Sequence, residues 1–166
     1  MELATAELEE LARRRDDLRA AHLREPDERG STPARGVHHV ALLCSDVERT
    51  IDFYQGLIGF PLTDLFENRD YAGSTHMFFD IGNGNFLAFF DFPGLDLGPY
   101  AEVLGGLHHL AISVDPDRWE EIRGRLESNG VEYHRVKTSI YFPDPDGARI
   151  ELIADPLGEM YGRRVG

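Results

Sequence analysis

The chain has 166 residues, enough for one domain or two half-domains around a shared core, and its 42% hydrophobic content is that of a soluble globular protein. Thirty acidic residues against 17 basic ones give a net charge of −13, and Lys137 is the only lysine. That balance argues against nucleic-acid binding, which needs cations clustered along the phosphates, and no apolar run approaches the ~20 residues of a membrane span.

Residues 1–24 read as a charged amphipathic helix, with Leu3, Leu11 and Leu18 recurring about every two turns. The start lacks the basic and apolar regions of a secretory signal. Cys44 is the single cysteine, so no intrachain disulfide forms and a reducing cytoplasm is the expected location. Residues 25–36, rich in Pro, Gly and charge, form a linker that leaves the helix as an appendage.

A phrase then occurs twice. Gly36-Val37-His38-His39-Val40-Ala41-Leu42 returns as Gly106-Leu107-His108-His109-Leu110-Ala111-Ile112, which marks an internal repeat. In the first module, residues 37–92, His39–Cys44 is a strand and Ser45-x-x-Glu48 reads as a capping box. The helix it opens carries Val47, Ile51, Tyr54 and Ile58 on one face and closes at Gly59. Strands follow near 60–68, 76–81 and 86–92, with Gly82-Asn83-Gly84 as a turn. Residues 93–105 form a joint. The second module, 106–155, repeats the order: a strand over 109–114, a helix capped by Asp115 and Pro116, and strands near 131–136, 139–142 and 148–154. Asp144-Pro145-Asp146-Gly147 is its last turn, and residues 156–166 are a tail. The expected class is α+β: two βαβββ modules forming a curved mixed-sheet cup, with an extra N-terminal helix.

Strand alternation assigns faces. Val40, Leu42 and Cys44, and in the repeat Leu110, Ile112 and Val114, are the natural partners of the helices. His39 and His109 therefore fall on the opposite, concave face, with His38 and His108 beside them at the rim. In the last strand Ile150 and Leu152 take the helix side, so Glu151 points inward, where an uncompensated charge is costly. Two imidazoles and a carboxylate on one concave face make a facial metal site with open positions. By the same phase His76, Phe78, Phe86 and Phe90 line the cup, which suits an apolar or aromatic small molecule bearing two oxygens.

These residues resemble the vicinal oxygen chelate superfamily: glyoxalase I, fosfomycin- and bleomycin-resistance proteins, and extradiol dioxygenases. The resemblance rests on His39-x6-Asp46 running into Ile51-Asp52-Phe53-Tyr54-x3-Ile58-Gly59-Phe60, on His109 to Asp115, and on Tyr141-x2-Asp144-x2-Gly147-x2-Ile150-Glu151-Leu152. It implies paired βαβββ modules around a divalent metal held by His39, His109 and Glu151. Iron(II) is favoured, with Mn, Zn or Ni as alternatives. Alignment of Gly84–Ala88 on Gly147–Glu151 puts Ala88 where glyoxalase I has a fourth ligand, leaving the set of two histidines and one glutamate that the dioxygenases and fosfomycin enzymes use. Tyr141 is similar to the substrate-side tyrosine of the extradiol enzymes. Their acid/base histidine would fall near Asn85 or Phe86, neither of which is histidine, so His76 or His134 is the candidate substitute. Fosfomycin-type transfer needs cations that the cup strands do not supply. The expectation is an Fe(II) extradiol-type dioxygenase, with a lyase or isomerase and a ligand-sequestering protein as alternatives. A homodimer is expected, and the site closes either within one chain or across two.

Overall fold

The computed structural model describes residues 3–165; Met1, Glu2 and Gly166, the outer ends of the expected extension and tail, lie outside the described residues. The chain divides into two compact units, residues 1–35 and 36–166. In the first, helix α1 (Thr5–His22) opens with the Glu7 carboxylate accepting the Ala4 N–H at 2.8 Å. None of its residues is buried, and Leu3, Leu11 and Leu18 stay exposed, so its leucine stripe has no core of its own. The expected linker contains one 3-10 turn at Pro26–Glu28. Among the described residues no helix is long and apolar enough to cross a membrane.

The second unit holds both modules in the expected order. Module one comprises β1 (His39–Leu43), α2 (Val47–Ile58), β2 (Leu62–Glu67), β3 (Thr75–Asp80) and β4 (Phe86–Phe90), with sheet order β1-β4-β3-β2. Module two comprises β5 (Leu110–Ser113), α3 (Pro116–Ser128), β6 (His134–Val136), β7 (Ser139–Pro143) and β8 (Arg149–Ile153), in the matching order β5-β8-β7-β6. In each sheet the first strand pairs in parallel with the last, and the other pairings are antiparallel.

Local details depart from expectation in three places. The N-cap of α2 is Asp46, whose Oδ1 accepts the Arg49 N–H at 2.9 Å, rather than Ser45. Ser45 is drawn off by the other module: its N–H and hydroxyl both bond the Asp146 carboxylate, at 3.0 and 2.5 Å. Helix α2 also widens to π geometry over Asp52–Ile58, and the N–H groups of Gly59 and Phe60 both reach the Tyr54 carbonyl at 2.9 Å. Gly59 closes it with a left-handed φ of 92°. Finally, the expected tail contains a small hairpin, β9 (Glu159–Met160) with β10 (Arg163–Arg164).

Helix-side residues of both sheets form a continuous core. Met77, Phe79, Leu87 and Phe89 pack with Tyr54 under sheet one; Ile112, Ile140, Phe142, Ile150 and Leu152 pack with Trp119, Ile122 and Leu126 under sheet two. Phe53, Phe60, Ile81 and Leu110 touch both clusters. Cross-links tighten this junction: the Tyr54 hydroxyl donates to Asp144 at 3.1 Å, and Arg125 donates to the Ile58 carbonyl at 3.1 Å. Alternation along the strands leaves His39 and His109 on the sheet faces opposite this core.

Candidate metal centre on the second sheet

Register fixes the rows that make the site. Across the second sheet Ala111, Glu151, Tyr141 and His134 lie side by side; the matching row of the first sheet is Ala41, Ala88, Phe78 and Asp64. Ala88 thus occupies the place of Glu151, as the sequence alignment of the modules requires.

Glu151 is 2% exposed, and each of its oxygens has a partner. Oε1 accepts the Ser139 hydroxyl at 2.5 Å, and Oε2 stands 3.0 Å from His109 Nε2. Behind His109 a chain of contacts runs outward: His109 Nδ1 to His108 Nδ1 at 2.7 Å, His108 Nε2 to Arg149 Nη1 at 3.3 Å, and Arg149 Nη2 to Glu102 at 2.6 Å. A guanidinium only donates, so the chain has one consistent polarity: Arg149 donates to His108, His108 to His109, and His109 to Glu151. The proton between His109 Nε2 and Glu151 Oε2 marks the point a cation would take over, since a ligating imidazole nitrogen must be bare. Donors 3.0 Å apart also suit two adjacent corners around one ion with bonds of about 2.1 Å. The pair fits a divalent metal.

Tyr141 flanks this pair, its ring 5.8 Å from that of His109 and its hydroxyl 3.3 Å from Tyr161. Burial, then the Tyr161 hydroxyl and the Glu151 carboxylate, push the Tyr141 phenol well above its ordinary value. A cavity of about 660 Å³ adjoins it, lined by Tyr100, His134, Tyr141 and Arg149 among others. A larger cavity of about 860 Å³ lies between the joint and the end of β1, reached by neither His109 nor Glu151.

The remaining expected residues gather on the first sheet. His39 is exposed, with its Nδ1 2.9 Å from His38 Nδ1 and its ring 5.8 Å from Phe78. His76 stacks on Phe90 at 3.8 Å and touches Phe78 at 4.3 Å; Phe86 meets Phe78 edge-on at 6.2 Å. Burial and then the nearby His39 hold the His76 imidazole below its ordinary value, and its buried Nε2 has no protein partner. The structure therefore brings together His109, Glu151 and Tyr141, and separately His39, His76, Phe78, Phe86 and Phe90. Among the described residues no three His, Cys, Asp or Glu side chains converge as one metal set. Sequence reasoning missed Ser139 and Tyr161. Ser139 was legible, lying two residues before Tyr141 and so on the same face; Tyr161 sits beyond the repeat, where no pattern pointed to it.

Paired βαβββ modules, with an imidazole at the start of β5 set against a carboxylate on β8, define a vicinal oxygen chelate fold. The chain belongs to the Glyoxalase/Bleomycin resistance protein/Dioxygenase superfamily, whose family model matches residues 36–152. It is 27% identical over 141 residues to a Bacillus subtilis (strain 168) protein named as a ring-cleaving dioxygenase, MhqA, covering 78% of this chain and 43% of the relative. The chain thus spans about two fifths of the length of this relative and of the similarly named MhqO. It is 28% identical over 125 residues to the metallothiol transferase FosB of Staphylococcus epidermidis, covering 71% of this chain and 82% of FosB. Among solved structures, a dioxygenase-named protein of B. subtilis superposes with a TM-score of 0.62 at 26% identity, over 71% of this chain and 40% of that one. A domain from Frankia sp. EAN1pec shares the fold, with a TM-score of 0.63 at 19% identity over 74% of this chain and 99% of that one.

Proposed function

We propose that the protein is a metal-dependent enzyme, an Fe(II) extradiol-type dioxygenase acting on an aromatic or similar small molecule with two vicinal oxygens. The observation that carries this reading is the buried Glu151 carboxylate held by Ser139 and set 3.0 Å from His109 Nε2. A carboxylate this buried is costly without such partners, and the imidazole nitrogen and carboxylate oxygen they bring together are donors a divalent ion takes. His109 and Glu151 would hold the ion with His39 of a second copy, whose own second sheet receives the first chain's His39. A bound divalent ion would supply Lewis acidity and a template for two substrate oxygens and O2. The chain's own groups do the rest. Tyr141 offers a hydroxyl to a substrate oxygen. Phe78, Phe86 and Phe90 of the partner's concave face exclude water and pack on an apolar ring. To His76 of that face, whose buried Nε2 has no protein partner, we assign the proton-accepting role.

A second reading, metal-assisted group transfer, is favoured by the likeness to FosB over most of that protein's length. Elemental analysis after anaerobic purification, followed by O2 uptake on catechol, separates the two. Iron together with O2 consumption and ring-cleavage absorbance is the expected result. Zinc, nickel or manganese with no O2 uptake sinks the dioxygenase. No bound metal, with small-molecule binding unchanged in His109→Ala, points instead to a sequestering protein.

A further inference from the structure

Only three residues other than glycine adopt left-handed φ among those described: Asn83, Lys137 and Tyr161. Asn83 lies between Gly82 and Gly84 in a turn, where asparagine tolerates the conformation. The other two are unsuited to it, and they meet. Lys137, at φ 54°, opens the tight turn between β6 and β7. Tyr161, at φ 53°, is followed by Gly162 at φ 75° between β9 and β10. That is the φ signature of a type I′ turn, whose first central position favours Asn, Asp or Gly. The Lys137 ammonium lies 5.0 Å from the centre of the Tyr161 ring, within cation–π range.

The strain is held in place. The Tyr161 N–H donates to the Asp155 carboxylate, and the Asp155 carbonyl accepts Ser113 Oγ at 2.6 Å, tying the hairpin to β5. The result is a Tyr161 hydroxyl 3.3 Å from that of Tyr141, itself next to Glu151 in the sheet. A strained bulky residue that the surroundings hold so firmly is a mark of a functional position. Two phenols sharing one contact use one proton between them, and the other remains free to donate outward.

We propose that the C-terminal hairpin is part of the binding site: Tyr161 and Tyr141 form a paired hydroxyl that holds a phenolic oxygen of the substrate beside His109 and Glu151, with Lys137 holding the Tyr161 ring. This rests on the reading of His109 and Glu151 as a metal couple. Tyr161 is a substrate-contacting residue, and the hairpin positions it at the cost of a strained turn.

The test uses the full chain loaded with Mn(II), with 4-nitrocatechol as the probe followed by its visible absorbance. Tyr161→Phe keeps the ring over Lys137 and loses only the hydroxyl; its affinity for 4-nitrocatechol is expected to fall about tenfold, the scale of one hydrogen bond to a charged oxygen. Mn(II) affinity, measured by titration calorimetry, should not change. Tyr161→Gly accepts a left-handed φ without strain, so its melting temperature should hold or rise while 4-nitrocatechol affinity falls alike. A structural role predicts the reverse, a lower melting temperature with Tyr161→Phe silent. Unaltered 4-nitrocatechol binding in Tyr161→Phe, or no 4-nitrocatechol binding by Mn(II)-loaded wild-type protein, overturns the hairpin proposal alone. Failure of wild-type protein to bind Mn(II) overturns the metal reading and this proposal together.

Discussion

Ser139 is fully buried and its hydroxyl has the Glu151 carboxylate as partner, so the two side chains depend on each other. Replacing Ser139 with Ala leaves a carboxylate oxygen without its donor in a place water does not reach. An unsatisfied buried group of this kind costs about 1–3 kcal/mol, and losing the partner of a metal-ligating carboxylate costs about 10–100-fold in metal affinity. Ser139→Ala should therefore unfold at lower urea and bind Mn(II) correspondingly more weakly. Wild-type behaviour in both titrations would remove Ser139 from the site. The inward aim of His109 and Glu151 was legible, because alternation along a strand needs only the apolar pattern of Leu110, Ile112, Ile150 and Leu152. The polarity of the chain through His108 and Arg149 was not, because it depends on the joint bringing Glu102 against Arg149.

At the scale of elements, the hairpin turn of module two serves as the clasp between modules. Asp144 accepts the Ala148 and Asp146 N–H groups at 2.8 and 3.0 Å and the Tyr54 hydroxyl at 3.1 Å. Burial still holds its carboxyl above the ordinary value, outweighing those bonds. The folded state then binds this proton more tightly than the unfolded chain. The stability Asp144 contributes is full below about pH 4, the ordinary carboxyl value, and is lost as pH rises through the raised folded value. Asp144→Asn keeps an oxygen for the two N–H groups and has no charge to bury. Its stability relative to wild type should rise as pH climbs from about 4 through the raised folded value, and a pH-independent difference in urea unfolding would contradict the burial argument. The same turn explains why the helix cap was misread. Ser45-x-x-Glu48 fits a capping box locally, but Asp146, a hundred residues on, claims Ser45. Local patterns carry the βαβββ order of both modules because each strand and helix has its own apolar period. They carry no information on bonds between modules, nor on a two-stranded hairpin as short as Glu159–Arg164.

The whole molecule sets the last constraint. Its helix sides share one core, and among the described residues His39 does not converge with His109 and Glu151 on one metal set. The first face carries exposed apolar side chains, with Leu43 49% and Phe66 44% exposed, which is an apolar surface in want of cover. A second copy placing its first sheet over this chain's second sheet would cover it, and two-fold symmetry would make two such sites. Mixed dimers of His39→Ala and Glu151→Ala chains, isolated with two different tags, decide whether the site is shared in this way. If it is, one site of the mixed dimer collects both substitutions and the other collects none, so the mixed dimer binds about one Mn(II) where each parent homodimer binds none. If one chain closes its own site, both sites of the mixed dimer are broken and no Mn(II) binds. Dimers that cannot be isolated at all, or His39→Ala protein that binds Mn(II) as tightly as wild type, would place the third ligand elsewhere.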